Sequence, residues 1–427
     1  MGLTSATVEG NLYCQGGQFF SKGEIPALNA NGAKIGGNVF LRQGFKAEGG
    51  VDLTGATIGG QLSCVGGQFI GKGEIPALNA NGAKIGGNVF LHQHFRAEGR
   101  VDLTGATIQG NLECNGGQFA SKGETPALNA DSAKFQQSVF FRGGTVAEGK
   151  VCFAFAEVAR DFQWTDLKSP EKAILDLRFT KVGRLLNHQN SWPNKGNLFV
   201  GGFVYNEIDD RASPNADVQL GWLHLQLQEP FLSQPYEQLA AVLRQRGLKE
   251  EARKVMIEKN KDYATHLHWR SAWLWYGLFG KIIGYGYSPW RAFWISLIVI
   301  GIGWLVFQRG YDSKLVTPTG DKAYVVEKDG TRRLSKNGTP QVSEDYPKFN
   351  AFVYSVETFV PLLKLGIGER WIPNARLGAP LNVGMLGKIG FPRKTGSLLR
   401  YYLWCHIIAG WVLTTLWVGG LTGLVKT

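Results

Sequence analysis

Signatures of soluble chemistry are missing from this chain of 427 residues. It has no dinucleotide fingerprint, nucleophile elbow, zincin motif or phosphate loop, and no paired thiols among its five cysteines. Those absences argue against an enzyme, and no cofactor is expected. Acid is scarce too: 34 Asp+Glu face 46 Lys+Arg. The shortage is local. Counting along the chain gives 19 basic against 17 acidic residues in 1–208, 11 against 9 in 209–308, and 16 against 8 in 309–427. Nucleic-acid binding wants a basic stripe on a soluble domain. The near-neutral first half offers none, so no nucleic-acid partner is expected. The opening MGLTSATVEG has neither a basic n-region nor an apolar h-region, so no secretory signal is expected. The repeat starts at Ala6, which predicts an uncapped first coil.

What is present is repetition. ATVEGNLYCQGGQF at 6–19 returns as ATIGGQLSCVGGQF at 56–69 and ATIQGNLECNGGQF at 106–119, a period of 50. A related phrase, AKIGGNVFLRQGF at 33–45, recurs at 83–95 and 133–145. Each period is therefore two coils of 27 and 23 residues, the longer carrying an extra loop around Lys22–Pro26. Weaker echoes at 180–183 and 202–205 fade near Ile208. Short apolar segments punctuated by Gly predict a β-solenoid over 1–208. The ladders expected are Val8, Ile58, Ile108; Leu12, Leu62, Leu112; Val39, Val89, Val139; an aromatic ladder of Phe19, Phe69, Phe119; and an Asn ladder of Asn29, Asn79, Asn129. Cys14, Cys64 and Cys114 fall two coils apart. At about 4.8 Å per coil that exceeds disulfide reach, so free thiols are expected. His92 and His94 share a strand face, but Arg42 and Gly44 replace them one period earlier, so no metal site is expected there.

The phrases VDLTG at 51–55 and 101–105 resemble the repeat unit of pentapeptide-repeat proteins. That resemblance covers about half the chain and implies a right-handed quadrilateral β-helix. Such a rod suits an unknown protein partner.

Residues 209–267 read as a connector. Within it PYEQLAAVLRQRGLKEEARKVMIEKNK at 235–261 forms two helices about Gly247. Residues 268–290 are dense in aromatics, Trp269, Trp273, Trp275 and Trp290 ahead of Arg291, and predict an interfacial helix on a lipid bilayer. Gly284-Tyr285-Gly286 precedes the first apolar run and reads as a turn.

The remainder, 291–427, predicts a membrane domain. Residues 292–307 carry no charge, and 401–425 form a second apolar run; spans are expected at 291–309 and 401–425. His406 is the one ionisable group of the second besides Tyr and Cys, and it reads equally as interface packing or pore-facing. Residues 349–371 are apolar but hold Glu357, Pro361 and Lys364, costly for a lipid-facing helix. A re-entrant half-helix is expected there. The positive-inside rule favours a full crossing instead, because 364–400 holds seven basic residues against one acid.

Ser355-Val356-Glu357-Thr358, Gly366-Ile367-Gly368 and Arg370 resemble the pore helix and filter region of two-span, inward-rectifier-type channels. The filter threonines are absent, Ile367 stands where the tyrosine would, and the loop is three residues longer. The resemblance therefore implies a pore-like loop shaped by Ser355, Glu357, Thr358, Gly366, Gly368 and Arg370, with a Glu357–Arg370 salt bridge, but not potassium selectivity. The order of parts also resembles uncharacterised bacterial proteins that join Gly-rich repeats to a membrane domain. These readings imply a homo-oligomeric channel of the bacterial inner membrane whose cytosolic β-helix serves as gate, sensor or assembly rod. The alternative is a membrane-anchored scaffold without transport.

Overall fold

The computed structural model describes residues 1–23, 25–209, 215–227, 230–267, 280, 284–285, 287–320, 323–327, 331–334, 340–380 and 394–422. Two compact units divide the chain, Met1–Tyr263 and Ala264–Thr427.

The first unit begins as a parallel β-solenoid of about nine turns. Every early coil has four short strands, as in Thr7–Val8, Leu12–Tyr13, Gln18–Phe20 and Leu28–Asn29. Each pairs in parallel with its counterpart in the next coil. The register alternates between 27 and 23 residues at the first strand, Thr7 opposite Lys34 and Lys34 opposite Thr57, and between 28 and 22 at the third, Gln18 opposite Lys46 and Lys46 opposite Gln68. From Thr145 onward strands fuse across corners. Thr145–Cys152 and Glu157–Trp164 are eight residues each. The echoes read at 180–183 and 202–205 open the last two strands of this stack, Lys181–Asn187 and Val204–Ile208.

Coils approach so closely that some positions have no room for a side chain. A Cβ on Gly59 would overlap the Gly36 carbonyl, and one on Gly86 the Gly59 carbonyl. The interior is mostly apolar. Val8, Ile35, Ile58, Ile85, Ile108, Phe135, Val158 and Val182 form one ladder. Leu12, Val39, Leu62, Val89, Leu112, Val139 and Phe162 form another. The Leu and Val series expected as separate ladders thus interleave, because consecutive coils, not consecutive repeats, are neighbours. The aromatic ladder is likewise twice as dense: Phe19, Phe45, Phe69, Phe95 and Phe119 follow at ring separations of 5.5, 5.2, 5.3 and 5.3 Å. Phe69 opposes Ala47 and Ala97 along the strands; the small residue leaves room for the ring that each coil supplies two positions earlier, Phe45 or Phe95.

Asn29, Asn79 and Asn129 do not stack on like groups. Asp52 and Asp102 alternate with them, and each Asn accepts from the backbone N–H two residues on, an Asx turn. The hydrogen-bonded columns run instead from Asn11 through Asn38 to Gln61 and from Asn88 through Asn111 to Ser138. The Asn38 and Asn111 N–H groups donate to Asn11 Oδ1 and Asn88 Oδ1 at 2.6 and 2.7 Å. All five cysteines are free, and Cys14, Cys64 and Cys114 are buried.

Helices α1 (Ala216–Leu223), α2 (Gln234–Gln245) and α3 (Lys249–Thr265) follow. Gly247, at φ 80°, separates α2 from α3. Helix α2 satisfies the last coil: Gln234 accepts from the Gly202 N–H at 2.8 Å and donates to the Phe203 carbonyl at 2.9 Å, and Gln238 donates to the Tyr205 carbonyl at 2.6 Å.

In the second unit, α4 (Trp290–Asp312) and α6 (Thr395–Leu421) are long and apolar enough to cross a membrane. Only 17% and 33% of their most apolar windows are buried, unlike core helices of a soluble protein. The first exceeds the expected 291–309 by one residue at its start and three at its end, and the second starts six residues before the expected 401–425. Short α5 (Ala351–Phe359) lies between them and packs on both. The strand Val316–Pro318 pairs antiparallel with Trp371–Pro373, which ties together the segments flanking α5. The interfacial helix expected at 268–290, with Trp269, Trp273 and Trp275, lies largely outside the described residues. Trp290 opens α4 and is exposed, with exposed Arg291 beside it. Gly284 and Tyr285 lie in a turn, as expected.

Candidate functional site: the α5 loop

Helix α5 starts at Asn350, whose side-chain oxygen caps the Phe352 and Val353 N–H groups. It ends after nine residues, and Pro361 prevents continuation. The chain then runs without regular structure to Arg370.

Glu357 organises this stretch. Its carboxylate accepts three successive backbone N–H groups, from Gly366 at 2.9 Å, Ile367 at 2.9 Å and Gly368 at 2.8 Å. Successive amides converging on one anion form a nest, and Gly366 at φ 84° makes the turn that aims them. The carboxylate thus clasps the loop back onto the helix that carries it. The expected Glu357–Arg370 salt bridge is absent; no ion pair joins them. Three amides already surround the carboxylate, and the longer loop holds Arg370 by its backbone. The Arg370 carbonyl accepts from Tyr346 Oη at 2.8 Å and from the Thr319 N–H at 2.9 Å. Of the residues singled out, Glu357, Gly366 and Gly368 come together. Thr358 turns inward on its own helix, donating to the Tyr354 carbonyl at 2.7 Å.

Ser355 belongs to a second cluster that joins all three helices. Its hydroxyl donates to the Ile300 carbonyl of α4 at 2.8 Å. His406 of α6, 2% exposed, places Nε2 3.1 Å from the Ser355 carbonyl. A carbonyl only accepts, so Nε2 carries the proton in this contact. Phe307, Phe359 and Tyr402 surround the imidazole. Gly303 leaves the space: a Cβ there would strike Ser355 Oγ and His406 Cε1. Gly410 does the same against the Phe359 carbonyl. His406 therefore packs inward between helices. The lone ionisable residue in an apolar run was the sequence signal, but its partner 51 residues earlier was not readable.

The clasped loop exposes its apolar tip. Leu362, at φ 71°, is 94% exposed, and Leu365 51%.

No protein-family model, curated protein or solved structure matches this chain.

Proposed function

We propose that the chain is a subunit of a homo-oligomeric, channel-like pore in a bacterial inner membrane, with α4 and α6 as spans and α5 with its loop as a re-entrant element. The solenoid then lies in the cytosol as gate, sensor or assembly rod. One observation carries this reading: irregular backbone from Val360 to Arg370, clasped by a carboxylate, sits between two helices of membrane-crossing length. Peptide groups unsatisfied in hydrocarbon cost several kcal/mol each. Such a loop is tolerated at membrane depth only against protein or a water-filled cavity. A neighbouring copy would cover Leu362 and Leu365, and the polar backbone would face water on the axis. The contrasting reading, a membrane-anchored scaffold without transport, draws support from the regular solenoid surface.

Ion flux across liposomes holding the purified full-length protein tests the proposal. Flux above that of empty vesicles, lost in Glu357→Gln, is expected. Vesicles no leakier than empty ones, with the protein correctly inserted, would leave the scaffold.

A further inference from the structure

Among the described residues only one group of three metal-ligating side chains converges: His224, Glu258 and Asp262, one donor atom from each lying within 4.8 Å of the others. Glu258 and Asp262 are four residues apart on α3 and so share a face. His224 is the residue that closes α1, its N–H bonded to the Leu220 carbonyl. All three are half-buried. His224 Nε2 stands 3.1 Å from Asp262 Oδ2, and the Tyr236 hydroxyl of α2 donates to that same oxygen at 2.6 Å. Three helices thus meet at one carboxylate, with its orientation fixed from outside the donor set, as outer-shell hydrogen bonds do for metal ligands. Elsewhere the chain neutralises a buried carboxylate with cations: Asp176 sits between Lys150 and Arg178. Here two carboxylates converge on one imidazole, with Lys261 bound to Glu258 at 2.7 Å.

We propose that His224, Glu258 and Asp262 form a transition-metal site, suited to Zn²⁺, that pins α1 to α3. One nitrogen and two oxygens are donors zinc accepts, at about 2.0–2.2 Å; an imidazole in the set disfavours Mg²⁺ and Ca²⁺, which take oxygen. Donors on a tetrahedral zinc stand about 3.4 Å apart, so His224 and Asp262 are already at that spacing, and a rotamer change brings in Glu258. The metal replaces the proton on Nε2 and leaves a fourth position for water.

Chelator-treated full-length protein in detergent, titrated with Zn²⁺ by calorimetry, is expected to bind one ion per chain. His224→Gln, Glu258→Gln and Asp262→Asn should each weaken that binding about tenfold or more, with far-UV circular dichroism unchanged. Co²⁺ should give the visible absorption of a tetrahedral site, lost in the same variants. A His92→Gln/His94→Gln double variant should bind as the parent does. Absence of saturable binding, equal binding in all three folded site variants, or equal affinity for Mg²⁺ would each overturn the site, the second meaning an adventitious ion only. None of these readouts depends on transport.

Discussion

In the solenoid, each coil is held by copies of the same interactions, and the loss of one leaves dozens like it. In the C-terminal unit the opposite holds: two polar side chains, Glu357 and His406, hold a helix and its loop in place through bonds that occur once each. Repetition distributes stability, as expected for quasi-one-dimensional arrays. A short helix of nine residues is marginal by itself, so α5 depends on its tertiary partners. The lesson is that conformational change is cheapest where few groups carry the fold.

Substitutions of graded severity sharpen this contrast. The largest effect should come from Phe95→Ala, about 4 kcal/mol for a buried ring with no room to collapse, measured by denaturant unfolding. Phe19→Ala, at the half-buried edge of the stack, should cost clearly less; equal costs would break the view that rings are stabilised by neighbours on both sides.

Asp176→Asn should cost about 3 kcal/mol, because Lys150 and Arg178 lose the buried carboxylate between them. Burial alone would raise the Asp176 carboxyl, but hydrogen bonds from Arg178 and Lys150 hold it below the usual range. A folded-state pKa below the unfolded value of about 3.9 means that its stabilisation is present above that value. It is lost as pH falls through the lower, folded one. Acid unfolding curves should therefore show an added fall in this window for the parent and none for the Asn variant.

Glu357→Gln should weaken the clasp by about 2 kcal/mol, since an amide NH₂ faces N–H donors. The readout is faster tryptic cleavage at exposed Lys364, with the solenoid untouched. Smallest is Asn88→Ala, about 1 kcal/mol for the single bond to the Asn111 N–H. Between these two side chains that each bond backbone N–H groups, a cost above that of Glu357→Gln would reverse the comparison.

Coil lengths, the end of the stack near Ile208 and the two apolar helices were legible because each leaves a period or a run in the sequence. Which residues touch was harder. Leu12 and Val39 look unrelated until the 27-residue coil sets one above the other. Asn29 recurs as faithfully as any position, yet bonds locally, while one true column begins at Asn11 and ends at Gln61. Recurrence marks a shared environment, not which bond is made there. In α5 and its loop the sequence marked Glu357 as costly, and the channel resemblance marked Gly366 and Gly368 as loop-shaping. It could not show that the amides between those glycines, and not Arg370, take the charge, because backbone donors carry no residue signature.

The alternation of Phe over Ala along the strand faces sets how such a rod can change length. Phe19, Phe69 and Phe119 oppose Ala47, Ala97 and Ala147. Removing one coil would join two coils that supply their rings from the same strand position; removing two restores the alternation. Growth or shrinkage by duplication therefore proceeds in steps of fifty residues, about 10 Å of rod at two strand spacings, and the rod behaves as a ruler graduated in pairs of coils.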